Sequence, residues 1–129
     1  MTDRRQELLT LTDEFVDAFN RMDLDAIVSF FSEDAIYEDS SGGRHIGHTA
    51  IRTAFDPLVS GSRGIIRFDG EDIFTEVETG KVLVSWRLNF DKNGEVSVIR
   101  GIDVLEFHGD KLTKKLAYMK VDKPHLETD

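Results

Sequence analysis

The chain lacks several features on which whole classes of protein depend. It has no cysteine in 129 residues, which excludes disulfide bonds, thiolate metal sites and cysteine nucleophiles. No apolar run approaches the roughly 20 residues that a membrane-spanning helix needs. The first residues are polar and show no apolar segment of the kind found in secretory signals. We therefore expect a cytoplasmic protein that does not enter a membrane.

Positive charge is also scarce in this chain. Lysine and arginine number 16 against 25 aspartic and glutamic acids, for a formal net charge of -9. Nucleic-acid backbones and anionic membrane surfaces are bound through basic patches, so we expect neither as a partner. The remaining composition, 40% hydrophobic and 32% charged, is that of a soluble globular protein. The length predicts one domain over residues 1–129 with a single core and room for a modest pocket.

Helical periodicity marks the first part of the chain. Apolar residues recur at helical spacing from Leu8 to Met22, which predicts an amphipathic helix of about four turns. Asp23 is a candidate N-cap for a second, short helix. The predicted buried stripe of that helix is Ala26, Ile27, Phe30 and Phe31.

The pattern changes after the second predicted helix. Residues 35–39 read as a brief strand, and they run into a stretch of turn formers at 40–47, a candidate flap over a cavity. A third helix is predicted from about His48, ending before Pro57 because proline removes a backbone donor.

Strand patterns then continue from Gly64 to near the end of the chain. Val82 to Phe90 alternates with a period of two, and Asn93-Gly94 is a strong hairpin signal. Three helices followed by an antiparallel meander predict an α+β domain, with the helices on one face of a curved sheet. Residues 123–129 are expected to form a frayed tail. The predicted strands cover residues 65–68, which a D-G-E-D turn separates from 73–77, then 82–90, 98–107 and 112–121.

One predicted strand carries an acid on its apolar side. Side chains alternate between the faces of a strand, so Asp103 shares a face with Ile99, Gly101, Leu105 and Phe107. A carboxyl group there must be paired, hydrated or protonated. A neutral buried acid can donate a hydrogen bond to a developing oxyanion. The alternative is that Asp103 bonds a backbone amide or Arg100 and only fixes the sheet.

Several strings carry a resemblance to a known family. They are N-R-M-D-L-D-A-I-V-S-F-F-S-E-D-A-I-Y-E-D at 20–39, G-H-T-A-I-R-T-A-F at 47–55, I-D-V-L-E-F-H-G-D-K-L at 102–112 and A-Y-M-K at 117–120. From about Thr12 to Lys120 the chain resembles the nuclear-transport-factor-2-like cone fold. Within that superfamily it is similar to the ketosteroid isomerase and SnoaL-like polyketide cyclase branch. Enzymes, ligand binders and assembly modules all share this fold.

The resemblance implies roles for two aspartates. Asp39 falls where the isomerases carry the base that moves a proton next to a ketone. Asp103 falls where they hold a protonated acid that binds the enolate oxygen, and where the polyketide cyclases carry a proton-transfer acid. No cofactor is implied. From the residues alone, the favoured interpretation is that Asp39 ends a strand and bonds the amides of the turn at 40–43.

The chain also departs from the isomerase pattern. Phe15 and Phe55 stand where the isomerases have tyrosines, and the loss of one oxyanion donor typically costs about 10² to 10³ in rate. Efficient ketosteroid isomerisation is therefore not expected, although Tyr118 or Trp86 could supply another donor. The phenylalanines favour an apolar or aromatic substrate. The predicted pocket walls are Phe15, Phe19, Phe31, Phe55, Trp86 and Tyr118.

The leading hypothesis is a small enzyme that works without a cofactor. It would be an isomerase, cyclase or lyase that transfers a proton on a small apolar carbonyl or aromatic compound. Asp39 would be the base, and Asp103 the neutral acid and oxyanion donor. The alternatives are a ligand binder without chemistry and a pure dimerisation module of the same fold.

Simple structural roles are expected for most of the remaining polar residues. His45 and His48 lack a third convergent ligand, so no metal site is expected. His45, on the flap, could still shuttle protons. Lys114 and Lys115 were interpreted as a solvated strand face. The resemblance implies a homodimer through the outer face of the sheet, where the apolar residues are Val98, Ile102 and Val104.

Overall fold

The second helix begins where the sequence predicts its cap. The computed structural model describes residues 3–123 and residue 126. Helix α1 covers Arg4–Asn20, and helix α2 covers Leu24–Ser29. The side chain of Asp23 accepts a hydrogen bond from the backbone N–H of Ala26 at 3.1 Å, which caps α2 as predicted.

A six-stranded sheet forms the second layer. Its strand order is β2-β1-β6-β5-β4-β3, and every neighbouring pair is antiparallel except β1 and β6, which are parallel. Helix α3 covers His48–Val59 and completes the layer of three helices. This confirms the predicted α+β fold, in which three helices lie on a curved, mostly antiparallel sheet. The strands are β1 Phe31–Glu38, β2 Arg44–Ile46, β3 Ile65–Glu76, β4 Lys81–Lys92, β5 Glu95–His108 and β6 Lys111–Lys120.

Two predicted helix ends are wrong. Phe31 does not belong to α2; it opens β1 and pairs with Leu112 of β6. Helix α3 does not stop before Pro57 but includes it and continues to Val59. Pro57 is exposed in the last turns, and the N–H of Ser60 still closes the helix on the carbonyl of Asp56 at 2.9 Å. One missing donor near a helix end is therefore tolerated here.

The third strand is one element rather than two. The D-G-E-D stretch was predicted to turn between two strands, but β3 pairs with β4 on both sides of it. Gly70 lies opposite Trp86 and Ile73 opposite Val84, so β3 carries one extra residue there, a β-bulge. The hydroxyl of Ser85 accepts the N–H of Asp72 at 2.9 Å, which helps hold the bulge.

The inner face of the sheet forms the core together with the helices. The predicted alternation of β4 is confirmed, because its inward residues from Val82 to Phe90 are buried. Among the described residues, no helix is long and apolar enough to span a membrane. The predicted frayed tail at 123–129 lies outside the described residues, except for Lys123 and Leu126, which are exposed.

Candidate active site

An apolar cavity lies between the helices and the inner face of the sheet. Its volume is about 210 Å³, somewhat larger than the roughly 150 Å³ cavity that accepts benzene in an engineered core. It therefore has room for a compound of one or two rings. The helices contribute Phe15, Val16, Phe19, Ala54, Phe55 and Leu58 to its wall, and β4 contributes Val84, Trp86, Leu88 and Phe90.

A buried ion pair lies in the wall of this cavity. The Nζ of Lys115 is 3.1 Å from Oδ1 of Asp103, and these side chains are only 7% and 11% exposed. Oδ1 is fully buried and accepts no hydrogen bond from the part of the chain that the structure describes, so its contact with the ammonium group is ionic. No hydrogen bond from the described residues reaches Oδ2. The residual exposure of Asp103 therefore leaves Oδ2 as the oxygen that a ligand can meet.

The register of two neighbouring strands brings this pair together. Asp103 of β5 lies opposite Ala117 of β6, and Leu105 lies opposite Lys115, so both charged side chains face inward on a diagonal. The solvated position predicted for Lys115 is therefore wrong. Arg100 is not the partner of Asp103, because it contacts Glu71 on the other face at 3.8 Å. The resemblance implies an Asp103 that donates a hydrogen bond, whereas the contact here is with the ammonium group of a lysine.

Tyr37 also lines the cavity, although it is not among the residues predicted for the pocket wall. Its ring stacks on Phe55 with centroids 4.4 Å apart, and Lys115 Nζ lies 4.9 Å from the ring centroid. Burial and the negative charges of Asp103 and Asp39 raise the pKa of the Tyr37 hydroxyl well above its usual value. The hydroxyl thus stays protonated and can donate a hydrogen bond. Among the described residues it has no hydrogen-bond partner.

The side chain of Asp39 forms hydrogen bonds within the turn that follows β1. Its Oδ1 accepts the N–H groups of Ser41 and Gly43, each at 2.9 Å, and its Oδ2 lies 2.9 Å from Nε2 of His45. Burial alone would raise the pKa of Asp39, but the hydrogen bonds from His45, Gly43 and Ser41 outweigh it and hold the pKa below its usual value. Asp39 is not among the residues that line the cavity, whereas Ser40 is. Its role as a base stays a prediction.

The Asp39 contacts predict a pH-dependent contribution to stability. Asp39→Ala should lower the free energy of unfolding by about 1 to 2 kcal/mol near neutral pH, because hydrogen bonds to a charged acceptor are lost. Since the folded pKa is depressed below 3.8, the contribution is complete above that value and fades as pH falls through the folded pKa. Urea unfolding at several pH values measures it. Asp110→Ala, at an exposed turn, is the control; an equal loss in both variants would contradict the assignment.

The predicted pocket walls are reproduced for four of the six residues. Phe15, Phe19, Phe55 and Trp86 line the cavity. Phe31 is buried, but it packs against the rings of Phe15 and Phe55 instead of lining the cavity. Tyr118 is 53% exposed, because its neighbour Ala117 takes the inward position. Tyr118 therefore cannot supply the donor considered for it.

The two histidines of the flap region serve local contacts. His45 contacts Asp39, and Nε2 of His48 lies 2.8 Å from the carbonyl oxygen of Phe31. Within residues 3–123 and 126, no three histidine, aspartate or glutamate side chains converge as a metal site would require.

Comparison with known proteins now places the chain. The family described as SnoaL-like domain matches residues 12–115. The chain belongs to this family. No protein with a curated function matches the sequence of this SnoaL-like domain.

Solved structures confirm the nuclear-transport-factor-2-like fold. SalBIII, described as an epoxide hydrolase/cyclase-like enzyme in pyran ring formation in salinomycin, has a TM-score of 0.79 at 20% identity, covering 90% of this chain and 92% of its own. RV0760c from Mycobacterium tuberculosis, in complex with estradiol-17beta-hemisuccinate, has a TM-score of 0.76 at 15% sequence identity. The match covers 90% of this chain and 95% of RV0760c. TerC, co-crystallised with polyporic acid, has a TM-score of 0.72 at 16% sequence identity. The match covers 88% of this chain and 92% of TerC. At these identities the likeness shows the fold alone.

Proposed function

We propose that this SnoaL-like domain binds a small, largely apolar carbonyl or aromatic compound and catalyses a proton transfer on it without a cofactor. The reaction would be of isomerase, cyclase or lyase type. The observation that carries the proposal is the buried Asp103–Lys115 pair in the wall of an otherwise apolar cavity. Such a pair contributes little to folding once its desolvation is counted, and a few polar groups that converge in an otherwise apolar pocket are typical of a ligand or active site.

The proposed mechanism gives a role to three polar groups in the cavity wall. Asp103 acts as the base through Oδ2 and takes a proton from the carbon next to the substrate carbonyl. The electron pair of that C–H bond forms a carbon–carbon double bond, and the π pair of the carbonyl group moves onto its oxygen, which gives an enolate. The Lys115 ammonium and the Tyr37 hydroxyl stabilise the oxyanion. The protonated Asp103 then returns the proton to the same or a neighbouring carbon, so the carboxylate is regenerated.

Solved neighbours support a small-molecule site. RV0760c is described with estradiol-17beta-hemisuccinate and TerC with polyporic acid. SalBIII is described as a cyclase-like enzyme. These descriptions favour a pocket function over a purely structural one, in agreement with the open cavity of this chain.

Deuterium incorporation tests the reaction without knowledge of the natural substrate. In heavy water, the protein should speed exchange of the protons next to the carbonyl of cyclohexanone or 2-tetralone above the buffer rate, as followed by proton NMR. The single tryptophan, Trp86, lines the cavity, so its fluorescence reports binding in the same samples. A change in Trp86 emission without accelerated exchange would replace the enzyme proposal with that of a ligand binder.

The ligand-binder alternative has its own support. Phe15 and Phe55, in place of the isomerase tyrosines, make the cavity more apolar, and no described residue forms a hydrogen bond with the buried Nε1 of Trp86. A binder would retain such a pocket while losing the chemistry. Turnover of either ketone would exclude it.

A homodimer through the outer face of the sheet is a second part of the proposal. Val98 is 41% exposed, and Ile102 and Val104 are half-buried on that face. A second copy would cover these apolar side chains. Sedimentation should give twice the chain mass at micromolar concentration; a monomer there would contradict the dimer.

A further inference from the structure

An arginine stands at the opposite end of the cavity from the ion pair. The inward residues of β4 run along the cavity from Val84, which lies opposite Asp103, to Phe90. Six residues of strand separate these ends by roughly 20 Å. Arg63 lines the cavity at the Phe90 end, with its guanidinium 4.2 Å from the Phe90 ring centroid. Arg63 is exposed whereas Phe90 is buried, so this end is the mouth.

The position of Arg63 is built into the fold. Gly64 follows it at φ +88, and a Cβ at Gly64 would lie 2.2 Å from the carbonyl oxygen of Asp91. The loop therefore packs closely on β4, where Nζ of Lys92 also donates to the carbonyl of Ser62 at 2.9 Å. A guanidinium group over an aromatic ring can still donate hydrogen bonds through its N–H groups.

Arg63 also differs from most arginines of this acidic chain. Among the described residues, no carboxylate forms an ion pair with Arg63, although the chain has 25 acids. The guanidinium group of arginine is planar and always charged, and two of its N–H donors can bind the two oxygens of one carboxylate. The arginines that do contact a carboxylate are Arg4, Arg21, Arg44, Arg52, Arg67 and Arg100.

We propose that the ligand is amphipathic, with an apolar body in the cavity and a carboxylate that pairs with Arg63 at the mouth. The inference rests on the part of the proposed function that makes the cavity a ligand site. It does not depend on the proton transfer. The ligand carboxylate would remain partly solvated, because Arg63 is exposed. The same arrangement would orient the far end of the ligand toward Asp103 and Lys115.

A matched pair of probes tests this inference. 3-Cyclohexylpropionate and its uncharged amide share one apolar body, and Trp86 emission reports their binding near neutral pH. The wild-type protein should bind the carboxylate about fivefold more tightly than the amide, the upper end for a partly solvated ion pair. Added salt should reduce the difference. Arg63→Gln should abolish the difference and leave the affinity for the amide nearly unchanged.

Two further variants make the result specific. Arg67→Gln changes an exposed arginine that pairs with Asp69 and does not line the cavity, so it should retain the preference. Lys115→Met tests whether the carboxylate goes to the deep end instead. Equal binding of the two probes, no binding of the carboxylate, or a preference that survives Arg63→Gln and disappears in Lys115→Met would overturn the inference. None of these outcomes bears on ketone exchange, which tests the proton transfer separately.

Discussion

Asp103→Asn should reduce protein-catalysed deuterium exchange into 2-tetralone by about 10² to 10⁴-fold, the usual contribution of a general base. The amide keeps the size of the carboxyl group but cannot take a proton at neutral pH. Oδ1 of Asp103 contacts the Lys115 ammonium group, whereas no hydrogen bond or ion pair from the described residues reaches Oδ2, so the loss should appear in the rate of exchange. Binding of the ketone, followed by Trp86 emission, should persist.

Asp39→Asn is the matched control for the same substitution. Asp39 is committed to Ser41, Gly43 and His45 and does not line the cavity. Exchange should therefore change less than about threefold, well below the loss expected from a general base. The reverse pattern, with exchange lost in Asp39→Asn and retained in Asp103→Asn, would return the base to Asp39 as the resemblance implies.

Lys115→Met should lower the free energy of unfolding by about 3 to 5 kcal/mol, because it leaves the buried carboxylate of Asp103 without its partner. The side chains of Lys115 and Asp103 are 7% and 11% exposed, so little water can compensate. Urea unfolding monitored by circular dichroism measures the change.

Two variants separate loss of the ion pair from loss of packing. Lys114→Met alters the neighbouring residue, which points to the other face and is half-buried, and should cost less than about 1 kcal/mol. The double variant Lys115→Met with Asp103→Leu should recover most of the lost stability, because replacement of a buried pair by apolar groups is often neutral. A double variant as unstable as Lys115→Met would contradict the ion-pair explanation.

Local patterns predicted most of the fold. The period of two in β4 and the cap at Asp23 reflect neighbours in sequence, and both appear in the structure. The errors arose where pairing with another strand, and not the local sequence, decides the conformation. The D-G-E-D stretch resembles a turn by composition, but continuous pairing with β4 keeps it within one strand as a bulge.

The candidate site was only partly predictable for the same reason. Alternation placed Asp103 on an apolar face, and the structure confirms that it is buried there. The contact of Asp103 with Lys115 depends on the register between β5 and β6, which local sequence patterns do not determine. A signal was nevertheless present: consecutive residues of a strand point to opposite faces, so one of Lys114 and Lys115 had to face inward. Tyr37 had no comparable signal, because its inward position depends on the parallel pairing of β1 with β6.

The position of a bound ketone tests the central claim most directly. A crystal structure of the protein with 2-tetralone should show the rings in the cavity and the carbonyl oxygen within hydrogen-bond distance of Lys115 Nζ or Tyr37 Oη. The carbon that exchanges should face Oδ2 of Asp103. A ketone bound on the surface, or bound in the cavity with its carbonyl turned toward Arg63, would contradict the account.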